Sequence, residues 1–171
     1  MTSTVTQKQI LTSNQTYQKI RRIAFEIFEQ NFQEKEIILA GIVGEGYSFA
    51  KRLATELTDI SPLEVVLVRL DFDKNIHYQS PILMDDTHLD FQNKVVVIVD
   101  DVLNTGRTLA FALDPFLRTE MKKVQVAVIV DRSHHLFPIH ADYVGYSLST
   151  TISEHVKVVL SDEENAGVYL K

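Results

Sequence analysis

Cysteine is absent from the 171 residues. A disulfide framework and a thiolate nucleophile are therefore impossible, and six histidines with no cysteine disfavour a structural zinc site. No apolar run approaches the roughly 20 residues of a membrane span. The opening stretch, MTSTVTQKQ, lacks the apolar core of a signal peptide, so a soluble cytoplasmic protein is expected. Positive charge is in deficit, with 17 lysines and arginines against 23 acids and a net charge of -6. That removes any general electrostatic pull toward nucleic acid and leaves only a local basic patch as a route to it. No linker, internal repeat or low-complexity tract divides the chain, and its length suits one domain with a substantial core.

What is present is organised around Val95 to Thr108, VVVIVDDVLNTGRT. Five apolar residues run into Asp100 and Asp101, as expected of a strand buried on both faces. The acids and the following Asn104-Thr105-Gly106-Arg107-Thr108 read as the turn at its carboxyl end. In an open α/β sheet ligands bind at that end of the strands. Upstream, a helix capped by Ser13 or Asn14 is expected to run to about Asn31, with Ile10-Leu11 packing near its start. Ile37 to Ile42 reads as a core strand emptying into Gly44-Glu45-Gly46, and a second helix buries Phe49, Ala50, Leu53, Ala54 and Leu57. Leu63 to Leu70 reads as another strand. Asp71 to Asn93 is a long polar connection of the kind that forms lids or binding loops, with His77 and Tyr78 in reach of a ligand. A helix from Thr108 to about Thr119, short or kinked at Pro115, precedes a strand over Val124 to Val130. Tyr143 to Ser147 and Val156 to Leu160 are weaker strand candidates. The alternation gives a mostly parallel sheet with helices on both faces.

The turn over Asp101 to Thr108 suits an anion. Successive backbone amides at a helix start, two threonine hydroxyls and a permissive glycine can surround a phosphate. The GxxxxGK[ST] spacing is missing, which disfavours a nucleoside triphosphatase, and Gly44-Glu45-Gly46 lacks the dinucleotide spacing. Two adjacent carboxylates repel phosphate, so they need other partners. Ribose hydroxyls suit them, because an ionised carboxylate only accepts hydrogen bonds, and a magnesium ion is the other option. The stretch asks for a phosphorylated sugar with magnesium.

Those residues closely resemble the phosphoribosyl-pyrophosphate signature of the type I phosphoribosyltransferases. From about Ile10 to Tyr169 the chain resembles their PyrR branch, the pyrimidine-operon regulators and uracil phosphoribosyltransferases. The likeness rests on Ile10-Leu11-Thr12, on Ala50 to Ala54, on Val99 to Leu103 with Thr105 to Thr108, on Val130-Asp131-Arg132 with His134, and on Pro138-Ile139 with Ala141 to Gly145. The segment around Tyr143 also resembles the hypoxanthine-guanine enzymes.

The resemblance implies an α/β type I phosphoribosyltransferase fold: one domain over residues 1–171 with its core at about 10–160, a flexible flap within 71–93 and a small hood at about 131–155. It implies that Asp100 and Asp101 are the catalytic acids, hold the ribose hydroxyls and touch Mg2+ indirectly, through the magnesium complex of phosphoribosyl pyrophosphate (PRPP). Asn104, Thr105, Gly106, Arg107 and Thr108 would bind the 5′-phosphate, and Val43, Gly44, Glu45 and Gly46 the pyrophosphate. Val102, Arg132 and His134 would meet the base. The implied reaction transfers the phosphoribosyl group from PRPP to a nucleobase, uracil first, releasing pyrophosphate by orientation and charge stabilisation without a covalent nucleophile. Homodimers or homotetramers are implied too.

Two departures matter. The PyrR pattern has threonine-arginine-glycine where this chain has Gly44-Glu45-Gly46, and loss of a charged donor at developing charge costs roughly 2–4 kcal/mol. His135, Phe137, His140, Tyr146 and Ile152 stand where regulatory members carry basic or polar residues. RNA as a partner is thus disfavoured against salvage chemistry. The alternatives are a PRPP- or nucleotide-sensing RNA-binding regulator with little catalysis, which Glu45 motivates, and a purine phosphoribosyltransferase.

Overall fold

The computed structural model describes residues 7–75 and 81–171. Helix α1 (Ser13–Asn31) begins where Thr12 accepts the amide of Gln15 at 3.2 Å while Gln15 accepts the amide of Thr12 at 2.9 Å. This reciprocal cap satisfies two of the donors that a helix start leaves open. The cap is thus one residue before Ser13 and two before Asn14. Ile20, Ile23 and Ile27 face inward at helical spacing. After α1 come β2 (Glu36–Ile42), α2 (Glu45–Ile60), β3 (Glu64–Asp71), β4 (Leu83–Met84), β5 (Val95–Leu103), α3 (Arg107–Ala112), α4 (Asp114–Leu117), β6 (Lys123–Asp131), β7 (Tyr143–Ser147), β8 (Val156–Val159) and β9 (Gly167–Leu170), with β1 (Lys8–Leu11) preceding α1.

The main sheet has the order β4-β3-β2-β5-β6-β7. Its strands are parallel except for β4, which pairs antiparallel with β3. Alternation divides the core. Val95, Val97 and Val99 face the layer of α1 and α2, while Val96 and Ile98 face that of α3 and α4. From β2 the chain crosses through α2 to β3 on one side, whereas β5 lies on the other. The carboxyl ends of β2 and β5 are therefore neighbours where the strand order reverses. Such a switch point opens a crevice between outgoing loops.

Two expectations need correction. Asp100 and Asp101 lie inside β5 and not in a turn after it, because the ladder with β6 continues through Asp100↔Val128, Val102↔Val130 and Leu103↔Asp131. The helix expected over 108–119 is two pieces, α3 and α4, and Pro115 sits in the first turn of the second, where its missing amide costs nothing. Ile10 and Leu11 belong to a strand, β1, which pairs with β9 in a separate sheet of order β1-β9-β8. Chain ends more than 150 residues apart leave no local signal for that pairing. Tyr143–Ser147, within the segment 131–155, is the edge strand of the main sheet. Of the connection 71–93, the described part contains β4; His77 and Tyr78 lie outside the described residues.

Thr12→Ala removes half of the α1 cap. It is expected to lower stability by about 1 kcal/mol, read as a lower urea midpoint with unchanged slope.

Candidate active site

The crevice at the switch point gathers most of the singled-out residues. Asp100 is 3% exposed, so its carboxylate is removed from water. Its Oδ1 accepts the Asp101 amide at 2.9 Å and faces the ammonium of Lys74 at 3.5 Å. Burial pushes the Asp100 carboxyl well above the ordinary carboxylate range, and the neighbouring Asp101 charge pushes it further; Lys74 pulls it back in part. Asp101 is more open than its neighbour. The two acids are therefore unequal: Asp100 is buried and lines the crevice, and Asp101 is partly exposed.

Gly46 explains how α2 comes so close. A Cβ placed there would stand 2.8 Å from Asp100 Oδ1 and 3.1 Å from Asp100 Cα, so any side chain would displace the acid. The start of α2 at Gly46 is thereby laid against Asp100. Val43 is tied to β3 through its amide, which donates to the Leu70 carbonyl at 2.8 Å. Glu45 is turned away from the acids. Its carboxylate accepts the amides of Leu160 at 2.6 Å and Ser161 at 3.1 Å, and the Ser161 hydroxyl. It clamps the turn after β8 to the first turn of α2 and adds no basic group to this loop.

The second loop follows β5. Gly106 has φ +88°, a left-handed conformation that lets α3 start directly behind the strand. A Cβ there would press within 3.2 Å of Ile139. The Thr105 carbonyl accepts the amides of Leu136 at 2.8 Å and Phe137 at 3.0 Å, and the Arg107 guanidinium lies 5.2 Å from the centre of the Phe137 ring. The segment after β6 thus braces the loop from behind. Among the described residues the amide hydrogens of Thr105 and Gly106 meet no protein acceptor. A cavity of about 40 Å³ opens on this loop, lined by Asp100 and Val102 through Leu109. Amides and hydroxyls around a small concavity make a seat for an anion.

The residues expected at the base are placed less uniformly. Val102 lines the cavity. Arg132 is buried and turned to Asn104 and to the segment 150–154, and His134 Nε2 lies 2.6 Å from the Thr150 carbonyl. His135 Nε2 meets Asp131 Oδ1 at 2.9 Å. Sequence reasoning passed over Lys74. The available signal was its isolation: no other lysine or arginine stands between Arg69 and Lys94. Among the described residues no three of His, Cys, Asp and Glu converge as a metal cage, and none of their helices is long and apolar enough to cross a membrane.

Comparison with known proteins matches residues 6–163 to the phosphoribosyl transferase domain family. Among similar proteins, the bifunctional protein PyrR of Bacillus pumilus is 37% identical over 166 residues, covering 91% of this chain and 92% of the relative. That of Deinococcus deserti is 38% identical over 164 residues, covering 91% and 88%. Among solved structures, the hypoxanthine phosphoribosyltransferase of Trypanosoma cruzi superposes with a TM-score of 0.78 at 17% identity, covering 95% of each chain. A hypoxanthine-guanine phosphoribosyltransferase from Bacillus anthracis gives 0.68 at 22%, covering 82% and 81%. These two show the shared fold alone.

A buried carboxyl with a raised pKa weakens the fold wherever it is ionised. The folded state holds its proton longer than the unfolded chain, so stability falls as pH rises from about 4 through the folded pKa. Asp100→Asn is expected to raise stability by roughly 1–3 kcal/mol at pH 7.5, with the gain shrinking toward pH 4. Thermal melts of both proteins across that range check it; a gain that persists unchanged at pH 4 contradicts it.

Proposed function

The chain belongs to the phosphoribosyltransferase family, in its PyrR-like branch, and on that premise we propose that its site senses a 5-phosphorylated ribose and transfers it slowly. The ligands are PRPP and a pyrimidine nucleotide, and the accepting base is uracil. Asp101 and the rim of Asp100 receive the ribose hydroxyls. The loop Asn104 to Thr108 receives the 5′-phosphate through backbone amides and hydroxyls, with Arg107 at its rim. Val43 to Gly46 flanks the leaving pyrophosphate, and Val102 with the segment from Arg132 and His134 lies toward the base.

The observation that carries the sensing reading is Glu45. The 5′-phosphate loop is complete, but the pyrophosphate loop has an acid where its resemblance pattern has an arginine, and that acid is engaged with Leu160 and Ser161. Ligand binding through the phosphate end is thus supported, while stabilisation of the departing pyrophosphate lacks a donor. Removal of one such donor lowers turnover by roughly 10²–10³. Lys74, whose ammonium lies 3.5 Å from Asp100 Oδ1, is a cation placed to offset part of the loss.

The donor set fits magnesium that arrives with its substrate. Two adjacent carboxylates, one of them facing Lys74, are too few for a resident cage, and Mg2+ typically keeps waters and substrate phosphates among its ligands. Asp101, the more open acid, would touch it directly or through water. Its contribution when bound is to neutralise the pyrophosphate charge.

A regulatory partner is the second half of this reading, motivated by the same Glu45. Arg21, Arg22, Arg52, Arg69, Lys94, Arg118 and Lys122 each stand beside a carboxylate. An RNA partner would therefore bind weakly and through few phosphates.

Calorimetry with uridine monophosphate, and with PRPP plus Mg2+, is expected to show binding of both. Pyrophosphate release is expected with uracil and not with hypoxanthine or guanine, at least about 100-fold below the 1–10³ s⁻¹ of ordinary enzymes. Failure of both ligands to bind rejects the reading, and fast turnover rejects its sensing half. For leader RNA, the slope of log affinity against log salt is expected to be shallow, corresponding to about two or three phosphates. No association at low salt leaves a sensor without an RNA output.

A further inference from the structure

Arg132 follows β6 directly and is 7% exposed. Its Nε donates to Thr150 Oγ1 at 2.9 Å and its Nη1 to Asn104 Oδ1 at 2.8 Å. Its Nη2 donates to the carbonyls of Thr151 at 3.2 Å and Glu154. The Glu154 carboxylate in turn accepts the Thr151 amide at 2.7 Å, and His134 Nε2 meets the Thr150 carbonyl. One buried guanidinium thus joins two parts of the chain that are far apart in sequence: the loop after β5 and the turn at 150–154.

A cation taken out of water is costly unless its donors are satisfied and its charge is compensated. Here the donors are satisfied by neutral groups. No carboxylate lies within 4 Å of Arg132 among the described residues, in contrast with the surface arginines. The Glu154 carboxylate, held below the ordinary carboxylate range by the Thr151 amide and to a smaller extent by Arg132, balances the guanidinium only from beyond contact distance, and the guanidinium bonds Asn104 of the loop after β5. An anion on that loop adds to this compensation. An arginine whose task was to read a base edge would instead present donors to the crevice.

We propose that Arg132 is a positioning residue for the 5′-phosphate: it fixes Asn104, backs the loop with a buried charge, and links its occupancy to the turn at 150–154. This deepens the functional reading above and rests on it. The link gives a nucleotide sensor a route outward. Filling the loop tightens Arg132, and Arg132 holds the backbone that presents the exposed Ile152.

The test separates phosphate from the rest of the nucleotide by NMR titration with uridine monophosphate and with uridine. Arg132→Met is expected to weaken the monophosphate by at least about tenfold and uridine by less than about twofold. Arg132→Lys, which keeps the charge but not the planar fork, recovers part of the loss. Adding Asn104→Ala to Arg132→Met costs less than about twofold more, because both act through one contact. Equal losses for both ligands, or none for either, overturn the proposal. In the wild-type chain, which needs no altered arginine to fold, the monophosphate is expected to slow hydrogen exchange at the Thr151 and Glu154 amides. Unchanged exchange at saturation also overturns it. If the wild-type chain binds no monophosphate, the functional reading fails and this inference with it; binding that Arg132→Met leaves intact fails the inference alone.

Discussion

The burial of one carboxylate at the turning point of a parallel sheet governs much of this molecule. Asp100 stands at the crevice end of β5, almost wholly out of water, and its surroundings are arranged around that fact. A glycine at 46 leaves room for its oxygen, the Asp101 amide donates to it, and the Lys74 ammonium faces it. A buried acid is tolerated only with such partners, and each of them draws another element to the crevice. Gly46 brings α2, Asp101 keeps β5 extended, and Lys74 brings the segment after β3. The cost is accepted in stability, as is usual where a polar group is held ready for a ligand.

The two loops at this point have different supports, and the difference has functional weight. The loop after β5 is braced from behind by Arg132, Leu136 and Phe137, all on the segment that follows β6. The loop after β2 is braced through Glu45 by the turn after β8. An arginine at 45 would offer a donor to a pyrophosphate group; a glutamate offers instead a clamp between α2 and the small sheet built from the chain's two ends. One residue has thus exchanged ligand charge for internal attachment.

Much of the architecture could be read along the chain because its signals are local. Runs of β-branched residues marked β2, β3, β5 and β6, and the helical spacing of Ile20, Ile23 and Ile27 marked α1. The acid pair and the glycine-bearing turn after it were legible as a resemblance to the phosphoribosyltransferases, and the family match over residues 6–163 agrees with that resemblance. The pairing of β1 with β9 was not legible, for it joins residues separated by nearly the whole chain. Nor was the continuation of β5 through both acids, which depends on hydrogen bonds to β6.

Side-chain direction is the other part that spacing does not encode. Sequence reasoning set Glu45 on a ligand loop, and its carboxylate meets Leu160 and Ser161; it passed over Lys74, which faces Asp100. By itself the sequence determined the periodicities, the strand ends and the residue types gathered after β5, because these are fixed by neighbours a few positions away. Only the tertiary structure decided which acid is buried, which cation faces it and which arginine bonds Asn104, because those depend on distances between segments that meet only when the sheet is assembled.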